Sequence, residues 1–257
     1  MGVILCECFL YGLVFFLGAC IYSFFNVVIY RVPKKESFVS GRSYCPACGQ
    51  SLGIRDLIPV FSYLFIGGKC RYCKEKIGVR DTLVEILGGG TLLFCIHRFE
   101  RIETALTVFA FFGILTVVTF LDIDTMEIAD GCHLALVILA VISLFTMEGA
   151  GIWARLLGAI CVSLPLFLIT LVIPGAFGGG DIKLMAACGL FLGWKLTLVS
   201  TFFGFLFGGI WAMVLLLTGK AGRKEHFAFG PFLCLGMTVG LLWGQALLNW
   251  YVEFFMI

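Results

Sequence analysis

The hydrophobic positions of this chain fall in long runs separated by short polar patches. About 20 apolar residues cross a bilayer core of about 30 Å, and shorter runs serve where the bilayer thins. On that rule the runs at about 8–30, 84–97, 105–121, 132–147, 152–173, 184–194, 196–218 and 230–252 predict roughly eight transmembrane helices. The second and sixth runs are short, and the sixth and seventh meet at Trp194 and Lys195 with almost no loop. The expected fold is all-α, a polytopic membrane helix bundle carrying one polar insertion.

That insertion, residues 31–83, holds Arg31, Lys34, Lys35, Arg42, Arg55, Lys69, Arg71, Lys74, Lys76 and Arg80. Basic residues concentrate in cytoplasmic loops, so the insertion is expected on the cytoplasmic side and the N-terminus outside. The predicted organisation is a first transmembrane helix over 1–30, a cytoplasmic loop domain over 31–83 and a membrane-embedded bundle over 84–257. Alternating sides puts Lys183, Lys220, Arg223 and Lys224 inside and leaves Arg98, Arg101, Arg155 and Lys195 as exceptions outside. The same alternation places Asp122, Asp124, Glu127 and Asp130, after the third run, on the cytoplasmic face with Asp181, after the fifth.

Composition agrees with an integral, multi-pass membrane protein, with the lipid bilayer as its surroundings. The 257 residues are 61% hydrophobic and 13% charged, far from the balance of a soluble domain. The formal net charge of +2 comes without a long basic or acidic tail, so nucleic acid is not an expected partner. Leu17 to Cys20 imitates a lipoprotein cleavage site, but no basic residue precedes the run and Glu7 lies near its start, so the stretch is read as a membrane helix.

Four of the twelve cysteines form two Cys-x-x-Cys pairs, Cys45 with Cys48 and Cys70 with Cys73, separated by 21 residues. Two thiolates from each tight turn can grip one ion, and four sulfurs suit tetrahedral zinc. Such a closed site has no open coordination position, which assigns it to folding the loop and makes 31–83 a small zinc-binding domain. The other eight cysteines read as packing residues.

A carboxylate near the hydrocarbon core is costly and calls for a chemical reason. Asp181 follows Gly178, Gly179 and Gly180, which permit positive φ and close approach of another backbone. Asp122 abuts the run ending at Leu121 and faces the bundle interior, while Asp124, Glu127 and Asp130 read as a solvated turn. Asp122 and Asp181 are therefore the candidate catalytic pair. Two carboxyls sharing a low-dielectric site divide one proton, so one can activate water as the other protonates a peptide carbonyl. His97, His133 and His226 read as structural. Gly204, Gly208 and Gly209 read as helix contacts ahead of a docking face for a substrate helix.

Taken together, the chain resembles the type IV prepilin peptidases, bifunctional leader peptidases and N-methyltransferases of the Gly-x-Gly-Asp membrane aspartyl class. The resemblance rests on Ser23, Asn26, Tyr30 and Arg31, the two cysteine pairs, Ile58 with Pro59, Ser62 with Tyr63, and Glu85. It continues through Asp122 and Asp124, Gly178 to Asp181, and Phe229 to Phe232. It departs from the family pattern at Asp81, Thr82, Ala129 and Ala228. It implies Asp122 and Asp181 as catalytic residues and type IV prepilins or pilin-like proteins as substrates, cut at the cytoplasmic face. It also implies methylation of the new N-terminus with S-adenosylmethionine, although the chain has no glycine-rich dinucleotide fingerprint.

Two other classes compete. An ion or proton transporter would use intramembrane carboxylates as carriers, but it predicts acids near mid-bilayer and inverted repeats. A scaffold built on the zinc loop would leave the glycine–aspartate arrangement without a purpose.

Overall fold

The computed structural model describes residues 2–219 and 227–255; Lys220, Arg223, Lys224 and His226 lie outside the described residues. The helices are α1 (Gly2–Arg31), α2 (Phe61–Phe65), α3 (Val79–Arg98), α4 (Ile102–Thr125), α5 (Asp130–Thr146), α6 (Ile152–Cys161), α7 (Ser163–Val172), α8 (Gly179–Leu192), α9 (Trp194–Leu217) and α10 (Gly230–Phe255). Among the described residues the only extended pairing is two isolated bridges in the loop.

Each predicted apolar run coincides with helix. Among the described residues, five stretches are long and apolar enough to cross a membrane: Leu5–Arg31, Ile102–Thr125, Ile152–Val172, Trp194–Leu217 and Gly230–Phe255. α3, α5 and α8 fall short of that in length or apolarity.

Two junctions differ from the run pattern. The run at 152–173 is two helices meeting at Val162 (φ −112°, ψ −44°). Pro165 supplies no N–H to the Cys161 carbonyl, and its ring crowds that oxygen, which breaks the ladder there. α8 and α9 are separated by Gly193 alone, at φ 78° and ψ 160°, a conformation that side-chain-bearing residues rarely adopt.

The chain divides into two compact units, Met1–Gly113 and Ile114–Ile257. In the first, α1 and α3 pack antiparallel: Gly18 lies against Gly88, Tyr22 fills the space a Gly88 side chain would need, and Asn26 donates to the Asp81 carbonyl at 2.9 Å. Such close crossings need small residues, because apolar lipid offers helices no hydrophobic incentive to associate. Tyr22 is fully buried, with ring centroids 5.1 Å from Phe25 and 5.6 Å from Phe109. At the end of α1 the buried Arg31 guanidinium donates to the carbonyls of Ser37, Ser40 and Arg42 at 2.8, 3.0 and 3.0 Å, gathering the start of the loop.

In the second unit α8 packs against α5, α6, α7 and α9, and α9 against α10. Gly158 meets Gly189 backbone to backbone, Gly236 and Gly240 close on Ser200, and Gly204 and Gly208 face Leu233 and Phe229. Gly204 and Gly208 are thus ordinary helix contacts, while Gly209 has no neighbour within 4 Å.

Arg155 corrects the charge bookkeeping. It is only 5% exposed, so it is no loop charge. Its guanidinium donates to Ser143 Oγ (2.5 Å), Ser143 O (3.3 Å), Ala150 O (3.1 Å), Leu190 O (3.3 Å) and Phe191 O (3.0 Å), capping the carbonyl ends of α5 and α8. A cation placed at two helix C-termini is favoured by both dipoles.

Candidate active site

Asp122 occupies the last turn of α4 and is 6% exposed. The helix stops one residue beyond Thr125, where Met126 takes φ 55° and donates its N–H to the Asp122 carbonyl at 2.8 Å. The Asp122 side chain turns toward the start of α10, where Oδ2 accepts the Gly230 N–H at 2.8 Å. A Cβ on Gly230 would stand 2.8 Å from that oxygen, so glycine is what allows the approach.

Asp181 lies in the first turn of α8, three residues earlier than the predicted run begins. Helix N-termini favour negative charge. The glycine run does not supply positive φ: Gly178 is the extended N-cap (φ −68°, ψ 139°), and Gly179 and Gly180 are helical. Its use is proximity. A Cβ on Gly178 would sit 3.2 Å from Asp181 Oδ2, and one on Gly180 would press on Ile128 at 3.2 Å.

The two carboxyls sense one another. Asp122 and Asp181 are close enough for the charge of one to act on the other. The Cys234 thiol of α10 is within electrostatic reach of both. Asp181 Oδ1 is buried and has no hydrogen-bond partner among the described residues.

A clamp fixes the start of α8. His133 Nε2 lies 3.1 Å from the carbonyl of Gly180, the residue before Asp181, and Lys183 Nζ lies 2.7 Å from Asp130 Oδ1. Asp130 Oδ1 is also 3.6 Å from His133 Nδ1. Asp124, Glu127 and Asp130 are exposed.

In the loop, Cys45, Cys48, Cys70 and Cys73 place their sulfurs within 4.8 Å of one another, a cluster that could hold a metal ion. The cluster is two copies of one turn. In each, the residue before the first cysteine bridges the residue six after it (Tyr44 with Ser51, Lys69 with Lys76). In each, the fourth residue after it is left-handed, Gly49 at φ 71° and Lys74 at φ 62°, and donates back to the cysteine carbonyl at 2.8 and 3.0 Å. Backbone N–H groups of Cys73 and Tyr72 pull the Cys70 thiol down to about 7, whereas at Cys73 the pull of the Glu75 N–H is outweighed by burial and the other three thiols, which push it up to about 12.

The bacterial peptidase A24 N-terminal domain model matches residues 16–99, and the type IV leader peptidase family model matches residues 109–213. A Bacillus subtilis (strain 168) protein named prepilin leader peptidase/N-methyltransferase is 30% identical over 243 residues, covering 94% of this chain and 98% of its own. The chain belongs to the type IV leader peptidase family. Proteins of the same name from Aeromonas salmonicida (strain A449) and Myxococcus xanthus (strain DK1622) are 28% and 32% identical. The first alignment covers 95% of this chain and 94% of that protein, the second 82% and 65%. No solved structure matches the chain.

Within this leader peptidase the four cysteines fall in the N-terminal match and both aspartates in the second. Sequence reasoning passed over Gly230 as the partner of Asp122, and His133 and Lys183 as the groups that hold the start of α8. Gly230 had a signal, its place in the Phe229–Phe232 motif. His133 had only its position three residues after Asp130.

Proposed function

We propose that the protein is a membrane aspartyl endopeptidase that removes the leader of type IV prepilins or pilin-like proteins at the cytoplasmic face of a bacterial plasma membrane. The feature carrying this reading is the placing of two carboxyls from separate helices within electrostatic reach of one another, Asp122 at the end of α4 and Asp181 at the start of α8, in a leader peptidase family member. Family membership favours a peptidase over an ion carrier.

The chemistry follows from the two environments. Asp122 Oδ2 accepts the Gly230 N–H, a bond an anionic carboxyl accepts best, and like charge between the two carboxyls leaves the pair holding one proton between them. Asp122 then takes a proton from the attacking water, and Asp181 donates to the carbonyl oxygen of the scissile peptide. The C–N bond breaks as Asp122 passes that proton to the leaving amine and Asp181 takes its own back from the gem-diol hydroxyl, with no covalent intermediate. His133 and the Lys183–Asp130 pair hold the backbone on either side of Asp181.

The four-cysteine cluster fits zinc. Zn–S bonds of about 2.3 Å in a tetrahedron put sulfurs about 3.8 Å apart, and Cys45 Sγ and Cys73 Sγ are 3.9 Å apart. Cys45, Cys48, Cys70 and Cys73 would hold the ion, which folds residues 31–83 and takes no part in bond cleavage.

N-methylation enters through the relatives' names. The described residues contain no βαβ unit, so S-adenosylmethionine would need a cradle of another kind. With the N-terminus outside and about eight crossings, α3, α5 and α8 serve as short spans and both aspartates reach the cytoplasmic side.

The test is cleavage of a purified prepilin by detergent-solubilised protein, comparing wild type with Asp122→Ala and Asp181→Ala. Loss of cleavage in both supports the proposal; full activity in either contradicts it.

A further inference from the structure

We infer that residues 54–66 are a membrane-inserted element, seated in lipid beside α1, and not part of an aqueous loop surface. This stands independently of the aspartate pair.

The 3-10 turn Ile54–Asp56 and α2 bury none of their residues. Ile54, Leu64 and Phe65 are 87%, 67% and 86% exposed, with Leu57 and Phe61 also exposed beside them. On an aqueous surface this many neighbouring large apolar side chains would mark an interaction site.

Where the segment is anchored identifies what covers it. Val60 takes φ 64°, rare for a β-branched residue, and its N–H donates to Glu85 Oε2 at 2.8 Å. Glu85 of α3 also bonds the Ser23 side chain of α1. Pro59 is buried, and the Phe61 ring lies 6.4 Å from Phe16 of α1. Phe16 is 15 residues before Arg31 (31 − 16), roughly 22 Å along the helix at about 1.5 Å per residue. It sits near the middle of the candidate span Leu5–Arg31. α2 therefore lies alongside a span and not beyond its end. Its apolar face continues the exposed face of α1 at Phe9, Leu13 and Phe16.

The polar groups fit the same surroundings. Ser62, Leu64, Ile66 and Gly68 donate their N–H groups to carbonyls of residues 58, 60, 62 and 63, so these groups are paired within the segment itself. Exposed Arg55 and Lys69 flank the apolar patch, and Arg71 is held by Asp56 at 3.0 Å, an arrangement suited to anionic headgroup phosphates.

Hydroxyl-radical footprinting of the unmodified full-length chain tests this in nanodiscs of phosphatidylethanolamine and phosphatidylglycerol. Exposure alone predicts faster oxidation at Phe65 than at Phe38, which is 42% exposed. Membrane insertion predicts the reverse, with Phe65 oxidised several-fold more slowly. Faster oxidation at Phe65 overturns the inference. In the companion experiment, p-benzoylphenylalanine replaces Phe65, and Val39 in a control, with zinc content verifying the folded loop. Phospholipid adducts should be several-fold more abundant from position 65 than from 39. Equal yields, or adducts to an added prepilin in place of lipid, overturn it.

Discussion

Asp122 Oδ2 and the Gly230 N–H meet at 2.8 Å across 108 residues of sequence, tying the last turn of α4 to the first residue of α10. Gly230→Ala sets a methyl group against that oxygen. The expected result is a loss of about 100-fold in kcat through displacement of the carboxyl, with circular dichroism and zinc content unchanged. Wild-type turnover in this variant would mean the contact does not position Asp122.

Asp181 predicts a pH dependence. Two carboxyls that share one proton are both ionised at high pH, and the pair can then no longer protonate the peptide carbonyl. Wild-type cleavage should decline on the alkaline side with an apparent pKa that belongs to the pair.

Arg155 holds five acceptors from three segments. Arg155→Ala strands buried carbonyls and should cost roughly 3 kcal/mol. Arg155→Lys should recover little of it, because one ammonium cannot reproduce the planar fork. Chemical unfolding of the two variants checks both statements.

For the cysteine cluster, the expectation is one bound zinc per chain, measured by elemental analysis. Removing it with a chelator should expose the loop to trypsin at Lys69, Arg71 and Lys74. Cys45→Ser with Cys70→Ser should reproduce that sensitivity without chelator, because binding free energy is folding free energy in such domains.

Much of this was legible in the sequence. Long apolar runs locate helices because a chain in lipid must satisfy its backbone internally, and Cys-x-x-Cys spacing brings sulfurs together because both pairs sit on the same kind of turn. The break at Val162 was signalled by Pro165 yet hidden by an uninterrupted run of apolar residues. α2 is too short for hydropathy to register. Arg155 and His133 could not be placed, since both act on backbone carbonyls, Leu190, Phe191 and Gly180, which any residue type presents equally. Of the two properties read from Gly178 to Gly180, positive φ goes unused, whereas the missing side chains of Gly178 and Gly180 leave room for Asp181 Oδ2 and Ile128.

The central claim is that Asp122 and Asp181 act as one unit, and a double-mutant cycle on leader cleavage tests it most directly. Cleavage rates of Asp122→Asn, Asp181→Asn and the double variant are measured on one purified prepilin at a pH where wild type is fully active. Groups that share a single proton-transfer task are strongly non-additive. The account predicts that each single variant loses nearly all activity and that the double is no slower than either. Losses that multiply in the double variant, or a single variant that cleaves at the wild-type rate, would contradict it.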